Sequence, residues 1–336
     1  MENIRNAELA KSICILDTTV DVDCKYTIAI PTFKRADTLK FALESAINQR
    51  NAPSYCILVV DNNPERGDET EILVKSLKCK NLKYYKNENN LGMTGNWNKL
   101  YLLSLTEWVV MLHDDDMLAE NYLNCMDKFL NNGLSSFDVI SPPFQVCNKR
   151  EIIQNNRCIY KYKNISINDF IIGNPIGAPL GLVVKKSFIE DVGGFRDNYY
   201  PSLDYDFYVS AAINGRICKV KGEPLALYVV GNNESLKDDT IVNFVRNKNS
   251  IILDECYNKL NIIAKILFRF TRNTKDLCIL NWFNPTIQSL EMRYRLYYDG
   301  KRKPHKLDKL RIFIFLRLSK LVSNFNWTKL KIYNES

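Results

Sequence analysis

Histidine is nearly absent. The 336-residue chain holds two, His113 and His305, which excludes a metal site built from several imidazoles and leaves oxygen as the expected ligand for any cation. The ten cysteines, at 14, 24, 56, 79, 125, 147, 158, 218, 256 and 278, form no CxxC pair. That removes a zinc ribbon and a disulfide framework, and reduced, mostly buried thiols are expected instead. No apolar run reaches the roughly 20 residues a spanning helix needs. The opening MENIRNAELAKSICILD interleaves Glu2, Arg5, Glu8, Lys11 and Asp17 with apolar residues, unlike a signal peptide, so a cytoplasmic protein is expected. Also missing are GxGxxG after the first strand-like segment, which disfavours a dinucleotide fold, and any internal repeat.

What is present can bury a full core, with 46% hydrophobic residues. The net charge of +8 is concentrated at one end. Residues 301–336 carry ten Lys or Arg against Asp308 and Glu335, which leaves 36 basic and 36 acidic residues for positions 1–300. A nucleic-acid binder more often spreads its charge over a folded face, so no nucleic-acid partner is expected.

Hydropathy alternates between two periods. YTIAIP (26–31) reads as a strand stopped by Pro31. Residues 37–48 read as a helix capped by Asp37 or Thr38, with Leu39, Ala42, Leu43, Ala46 and Ile47 as its apolar stripe. YCILVV (55–60) is a second strand ending at Asp61, 68–78 a helix, and LKYYKN (82–87) a short strand. Asn89–Gly95 reads as a loop, Asn96–Leu105 as a helix, and WVVML as the next strand. Apolar strands alternating with helices imply an α/β fold whose mostly parallel sheet is covered on both faces, with ligands at the strands' carboxyl ends. Beyond 139 the pattern becomes VISPPFQV, a strand broken by Pro142 and Pro143, then the Gly/Pro loop GNPIGAPLG. GLVVKKSFIEDVGGF reads as strand, short helix and turn. SLDYDFYVSAAING (202–215) reads as a helix opened by Ser202, and 216–230 as a hairpin-like pair of strands.

The stretch WVVMLHDDDML ends a buried strand in Asp114, Asp115 and Asp116. Three adjacent carboxylates repel, and an oxygen-only set suits Mg²⁺ or Mn²⁺ sharing a nucleotide's phosphates. A solvated acidic turn, with one Asp capping a helix over 118–130, is the alternative.

In order along residues 26–235, TIAIPTFKRADTLKFALESAINQ, ILVVDNNP, NNLGMTGNWNKL, MLHDDDML, and VVKKSFIEDVGGF followed by LDYDF resemble the family 2 glycosyltransferases. The resemblance implies the GT-A fold and a nucleotide-sugar donor. Thr32 and Phe33 would line the nucleoside pocket, Asp61 would hydrogen-bond the base, Arg35 would approach the diphosphate and Asn96 the donor. Asp114 and Asp115 would flank the nucleotide. Asp116, then Asp114, would bind Mg²⁺ or Mn²⁺. Asp204 corresponds to the base, with Leu203 where the family often has Glu, and Asp206 is its rival. The two point about 200° apart on one helix, so only one faces the acceptor. Direct displacement implies inversion, and the lack of QxxRW implies one sugar per encounter.

The tail HKLDKLRIFIFLRLSKLVSNF (305–325) puts Leu307, Leu310, Ile314, Leu321 and Phe325 near one helical face, interleaved with Lys306, Lys309, Arg317 and Lys320. It reads either as a helix on an anionic membrane or as a helix packed on the domain; 258–272 is a second such helix or core. The expected layout is an extension (1–25), a GT-A domain (26–235) and a helical region (236–336) with the basic tail. The expected activity is inverting, non-processive transfer, from a UDP-sugar to a glycan or lipid-linked saccharide of a surface polysaccharide such as O-antigen or capsule, at the inner face of the cell membrane. Competing functions are a sugar-phosphate nucleotidyltransferase, whose Gly-rich loop PTFKRAD lacks, and an inactive membrane-associated scaffold.

Overall fold

The computed structural model describes residues 2–19, 23–150, 159–171, 173–231, 233–281, 285–323 and 327–330. Elements follow the chain as α1 (Glu2–Leu9), β1 (Ser12–Asp17), β2 (Tyr26–Thr32), α2 (Ala36–Ile47), β3 (Tyr55–Asp61), α3 (Glu69–Ser76), β4 (Leu82–Asn87), α4 (Gly92–Leu103) and β5 (Trp108–Met111). β2, β3, β4 and β5 pair in parallel in the order 4-3-2-5. The chain thus leaves β2 toward β3 and β4, then returns to β2's other side as β5. Such a reversal opens a crevice at the carboxyl ends of the two strands that flank it.

Alternation along these strands supplies both faces of the core. Ile28, Ile30, Ile57 and Val59 pack with Leu39 and Leu43 of α2, while Ala29, Leu58, Val60, Val109 and Met111 pack with Leu100 and Tyr101 of α4. Truncating Leu39 or Leu43, both fully buried, would cost about 2–5 kcal/mol.

Three expected boundaries move. α2 has Arg35 at its N-cap, with no side-chain cap from Asp37 or Thr38; the Thr38 hydroxyl donates to the Arg35 carbonyl instead. The loop expected to run to Gly95 ends at Gly92, whose φ of +68° only glycine adopts freely. The Asn62 side chain accepts from Leu91 N–H and donates to the Gly92 carbonyl, closing the loop early. The helix expected from 118 starts at Tyr122, because Met117–Leu118 form a short strand, β6.

The second half continues with α5 (Tyr122–Asn131), β7 (Val139–Ser141), β8 (Phe144–Cys147), β9 (Tyr160–Ile165), β10 (Leu182–Lys185), α6 (Lys186–Asp191), α7 (Leu203–Asn214), β11 (Ile217–Lys221) and β12 (Ala226–Val229). The large sheet reads β1-β4-β3-β2-β5-β10-β7-β11-β9-β13, where β13 is Thr328–Leu330. It is parallel at its centre, with antiparallel strands at both flanks. The 216–230 hairpin does not form. β11 pairs with β7 and β9 in the large sheet, and β12 pairs with β6 and β8 in a separate three-stranded one. The segment before residue 26 contributes edge strand β1, and Lys99 of α4 donates to the Ala7 and Ala10 carbonyls at α1.

α8 (Asp238–Ile251), α9 (Ile262–Leu280), α10 (Ile287–Tyr297) and α11 (Lys306–Ser323) follow. α8 and α9 share a buried network in which Asp276 accepts from Asn249, Tyr297 and Lys248. α11 is docked at its first turn, where buried Asp308 accepts from Tyr294 and Arg302, and Ile312 packs against the α8–α10 cluster. Leu307, Leu310, Phe313, Ile314 and Leu316 remain exposed, as do Ile262, Ile263, Ile266, Leu267 and Phe270 of α9. The side chains of Lys320, Leu321 and Phe325 lie outside the described residues, as does Cys158. No described helix is long and apolar enough to cross a membrane, and none of the described cysteines is in a disulfide.

Candidate active site

Two acidic groups stand out, one at the end of β5 and one at the start of α7. The first is the Asp114–Asp116 turn. Leu112 N–H still bonds the Ala29 carbonyl, so the chain leaves β5 beside the end of β2. Asp114 Oδ2 there accepts from the Thr32 hydroxyl at 2.8 Å, and its Oδ1 accepts from Arg35 at 3.2 Å. Arg35 also donates to Asp115 Oδ2 at 2.9 Å, and Asn233 donates to that same oxygen. Asp116 differs. Its Oδ1 accepts from Val229 N–H at the end of β12, at 3.0 Å, and its buried Oδ2 has no hydrogen-bond partner among the described residues. Burial and the Asp115 charge push its pKa well above the usual carboxylate range, against the Val229 bond. Asp114 is pushed up to about 7 by burial, with Arg35 opposing. A cation would keep both ionised, and a buried, partnerless carboxylate oxygen among carboxylates fits Mg²⁺ or Mn²⁺.

His113 lies at the same turn, its Nδ1 3.8 Å from Asp116 Oδ2. Its ring stacks on Trp97 at 5.4 Å, and Trp97 meets Phe195 edge-on at 5.1 Å. Burial holds the imidazole below its ordinary pKa, with Arg35 adding to that and Asp115 opposing it.

The second acidic group opens α7. Asp206 is buried and paired with Arg196, whose Nε donates at 2.8 Å and whose Nη2 bonds the other oxygen. Half-buried Asp204 accepts a local bond from Tyr205 N–H, and burial raises its pKa to about 6. Phe195, beside Arg196, packs on Phe207 of α7, so the stack His113–Trp97–Phe195–Phe207 joins the two groups. Burial raises the pKa of Tyr228, with the charges of Asp116, Asp115 and Asp204 adding to it and the Ser235 bond opposing.

The other expected residues take definite places. Asp61 is fully buried; its Oδ2 accepts from Lys86 at 2.7 Å and Tyr84 at 2.8 Å, and its Oδ1 from Asn63 N–H. It is therefore both a turn residue and the centre of a polar cluster at the end of β3. Phe33 is 41% exposed at the crevice mouth. Asn96 lies inside α4 rather than at its cap, accepting from Asn87 and donating to the Val60 carbonyl. Thr32, Arg35 and Asp114–Asp116 come together directly, whereas Asp61 and Asn96 are held by internal partners. Sequence reading missed Arg196, Asn233 and Val229. Their roles depend on partners 10, 118 and 113 positions away, and no local signal marks them.

Residues 27–180 match the family model described as Glycosyl transferase family 2. An uncharacterized glycosyltransferase of Methanocaldococcus jannaschii is 23% identical over 197 residues, covering 59% of this chain and 67% of that relative. Staphylococcus aureus TarS, in its crystal structure with UDP-GlcNAc, superposes with a TM-score of 0.52 at 15% identity over 88% of this chain and 90% of the other. A Pyrobaculum calidifontis mannosyltransferase in complex with GDP-Man and Mn²⁺ superposes with a TM-score of 0.53 at 12% identity, covering 96% and 93%. At these identities the two structures establish the fold, which is GT-A.

Proposed function

We propose that this chain acts as a family 2 glycosyltransferase, the family that its residues 27–180 match, and that it moves one sugar from a nucleotide-diphosphate donor, a UDP-sugar, to a glycan or lipid-linked saccharide of a surface polysaccharide. The observation that carries this reading is the pair of acidic groups: Asp116, whose buried Oδ2 has no hydrogen-bond partner among the described residues, and Asp204, which accepts a local bond from Tyr205 N–H.

In this reading Asp204 is the general base. Its pKa near 6 leaves it ionised at neutral pH, yet close enough to that pH to accept a hydroxyl proton as the acceptor oxygen attacks the anomeric carbon. One carboxylate on the acceptor side suits single displacement and inversion, and Asp206 is committed to Arg196. Thr32 and Phe33 border the nucleoside, and Arg35 is the cation nearest the diphosphate. Asp61 is the residue assigned to the base, its carboxylate held at the end of β3 by Lys86 and Tyr84. Asn96 shapes the donor side from within α4. Asp116, with Asp114 beside it, would hold Mg²⁺ or Mn²⁺, which stabilises charge on the departing nucleoside diphosphate.

Thermal unfolding with UDP or GDP, each with and without Mn²⁺, tests the donor reading. A ligand at 100 times its dissociation constant adds about 2.7 kcal/mol, a shift of several degrees. The expected result is a UDP shift that requires Mn²⁺ and disappears in Asp116→Ala. A shift with GDP alone moves the donor to a GDP-sugar, and no shift with any nucleotide favours the inactive scaffold.

The C-terminal surface supports peripheral attachment to an anionic membrane. α9 and α11 expose the apolar residues named above, and the acids of both helices, Asp276 and Asp308, are buried. Their exposed charge is therefore basic, which complements anionic headgroups and would repel a second copy placed face to face. Flotation should recover the protein with vesicles containing anionic lipid and lose it in Ile266→Glu/Phe270→Glu; equal recovery of both proteins would overturn the attachment.

A further inference from the structure

We propose that His113 supplies an imidazole nitrogen to the divalent-cation site, making it a mixed nitrogen–oxygen set with Asp116 and Asp115. This rests on the metal-dependent reading above and goes beyond it in ligand identity and metal preference. The oxygen-only expectation came from the scarcity of histidine, and one histidine suffices here.

The argument is geometric. His113 Nδ1 and Asp116 Oδ2 stand 3.8 Å apart, too far for a hydrogen bond. Two ligand atoms each about 2.1 Å from a shared ion lie between about 3.0 and 4.2 Å apart as the angle opens from 90° to 180°. The observed separation falls within that span. One possible ligand atom each from His113, Asp115 and Asp116 lies within 4.8 Å of the others, a bound slightly wider than that span, so the three need close in only a little on a shared ion. Asp116 is 1% exposed and its Oδ2 makes no hydrogen bond among the described residues, while its other oxygen is taken by Val229 N–H. Arg35 neutralises Asp114 and Asp115 but reaches no oxygen of Asp116. The carboxylate without a cationic partner is thus the one that faces the imidazole. Stacking on Trp97 holds the ring in that direction, so ordering it adds little cost when the ion arrives. Asp115 Oδ2 already serves Arg35 and Asn233, which leaves its Oδ1 for the ion.

A nitrogen donor changes what the site prefers. An all-carboxylate set suits Mg²⁺ and Mn²⁺ alike, whereas imidazole adds affinity for Mn²⁺ and later first-row ions. The test uses full-length protein and Mn²⁺ alone, followed by pulsed electron paramagnetic resonance and by Mn²⁺ titration. The wild type should show ¹⁴N modulation from a directly bound imidazole. His113→Gln should lose it and bind Mn²⁺ at least about tenfold more weakly, the loss that even an outer partner of a ligand produces. Mg²⁺ affinity should change less. His113→Phe keeps a ring on Trp97 without the nitrogen, and serves if His113→Gln does not fold. Absent ¹⁴N modulation in the wild type, or unchanged Mn²⁺ affinity in both variants, overturns the proposal. Asp116→Ala separates this failure from that of the underlying reading. If it still binds Mn²⁺, the cation site itself is misplaced; if it does not, only the histidine is.

Discussion

The two acidic groups, at the β5 turn and at the start of α7, follow the same plan with different members. At the β5 turn, Arg35 takes Asp114 and Asp115 and leaves Asp116. At the start of α7, Arg196 takes Asp206 and leaves Asp204. In each, one arginine neutralises the carboxylates that hold the group together, and one acid remains unmatched. A buried acid without a partner is unfavourable unless something else compensates, so the unmatched acid is the place to look for chemistry. The difference lies in what would compensate. Asp116 has a fixed Val229 N–H and a second oxygen out of contact with water, a setting for a cation. Asp204 has its own helix's N–H groups and a pKa that fits proton transfer.

The largest expected effect comes from breaking the α7 group at its unmatched member. Asp204→Asn should lower transfer by about 10²–10⁴-fold, the usual worth of a general base, with melting temperature and donor binding retained. Asp206→Asn should do the reverse. Removing one partner of a buried, doubly bonded pair costs about 3 kcal/mol, toward the low end because Arg196 keeps some contact with solvent and also pairs with Glu255. Its folded fraction should still transfer sugar. If Asp206→Asn is stable and inactive while Asp204→Asn is active, the two roles are exchanged.

A pH profile sharpens the same contrast. The rate should fall about tenfold per unit below pH 6, because Asp204 must lose its proton to act and its pKa is about 6. Stability should move the other way. The folded pKa of Asp204, and that of Asp114 at about 7, lie above the ordinary 3.8. The folded chain therefore binds more protons than the unfolded one between pH 4 and 7, and metal-free stability from these groups declines as pH rises through that window. Denaturant midpoints at pH 5 and 7.5, without divalent cation, check the sign; a flat or rising midpoint that Asp114→Asn leaves unchanged would contradict it.

Much of the first group could be read locally. Strand β5 is a continuous apolar run, and its end is marked by three charges in a row, so its place in a parallel sheet follows from composition alone. Thr32 and Asp61 follow from the same rule at the ends of β2 and β3. The second group could not be read this way. Asp204 and Asp206 look alike in sequence, and what separates them is Arg196 folding back from the preceding turn. The β11 and β12 segments are apolar and close together, as in a hairpin, yet their partners are strands many residues upstream. Pairing register at that range is decided by which faces are buried, and periodicity within one segment does not carry it. His113 stood in plain view beside the aspartates. With two histidines in the chain no multi-imidazole pattern marks it, and a mixed site of the kind proposed needs only one.

The smallest expected effect tests whether Arg196 acts through charge or through shape. Its guanidinium meets both oxygens of Asp206, a geometry that an ammonium cannot reproduce. Arg196→Lys keeps the positive charge and loses one of two parallel bonds, so it should cost about 1 kcal/mol, the net worth of one hydrogen bond. Asp204 bonds Tyr205 N–H, and Arg196 is paired with Asp206 and Glu255, so transfer per folded molecule and the acid limb near pH 6 should stay where they are. If Arg196→Lys moves that limb, the two carboxylates titrate as one unit, and the separation between a structural Asp206 and a catalytic Asp204 is too sharp.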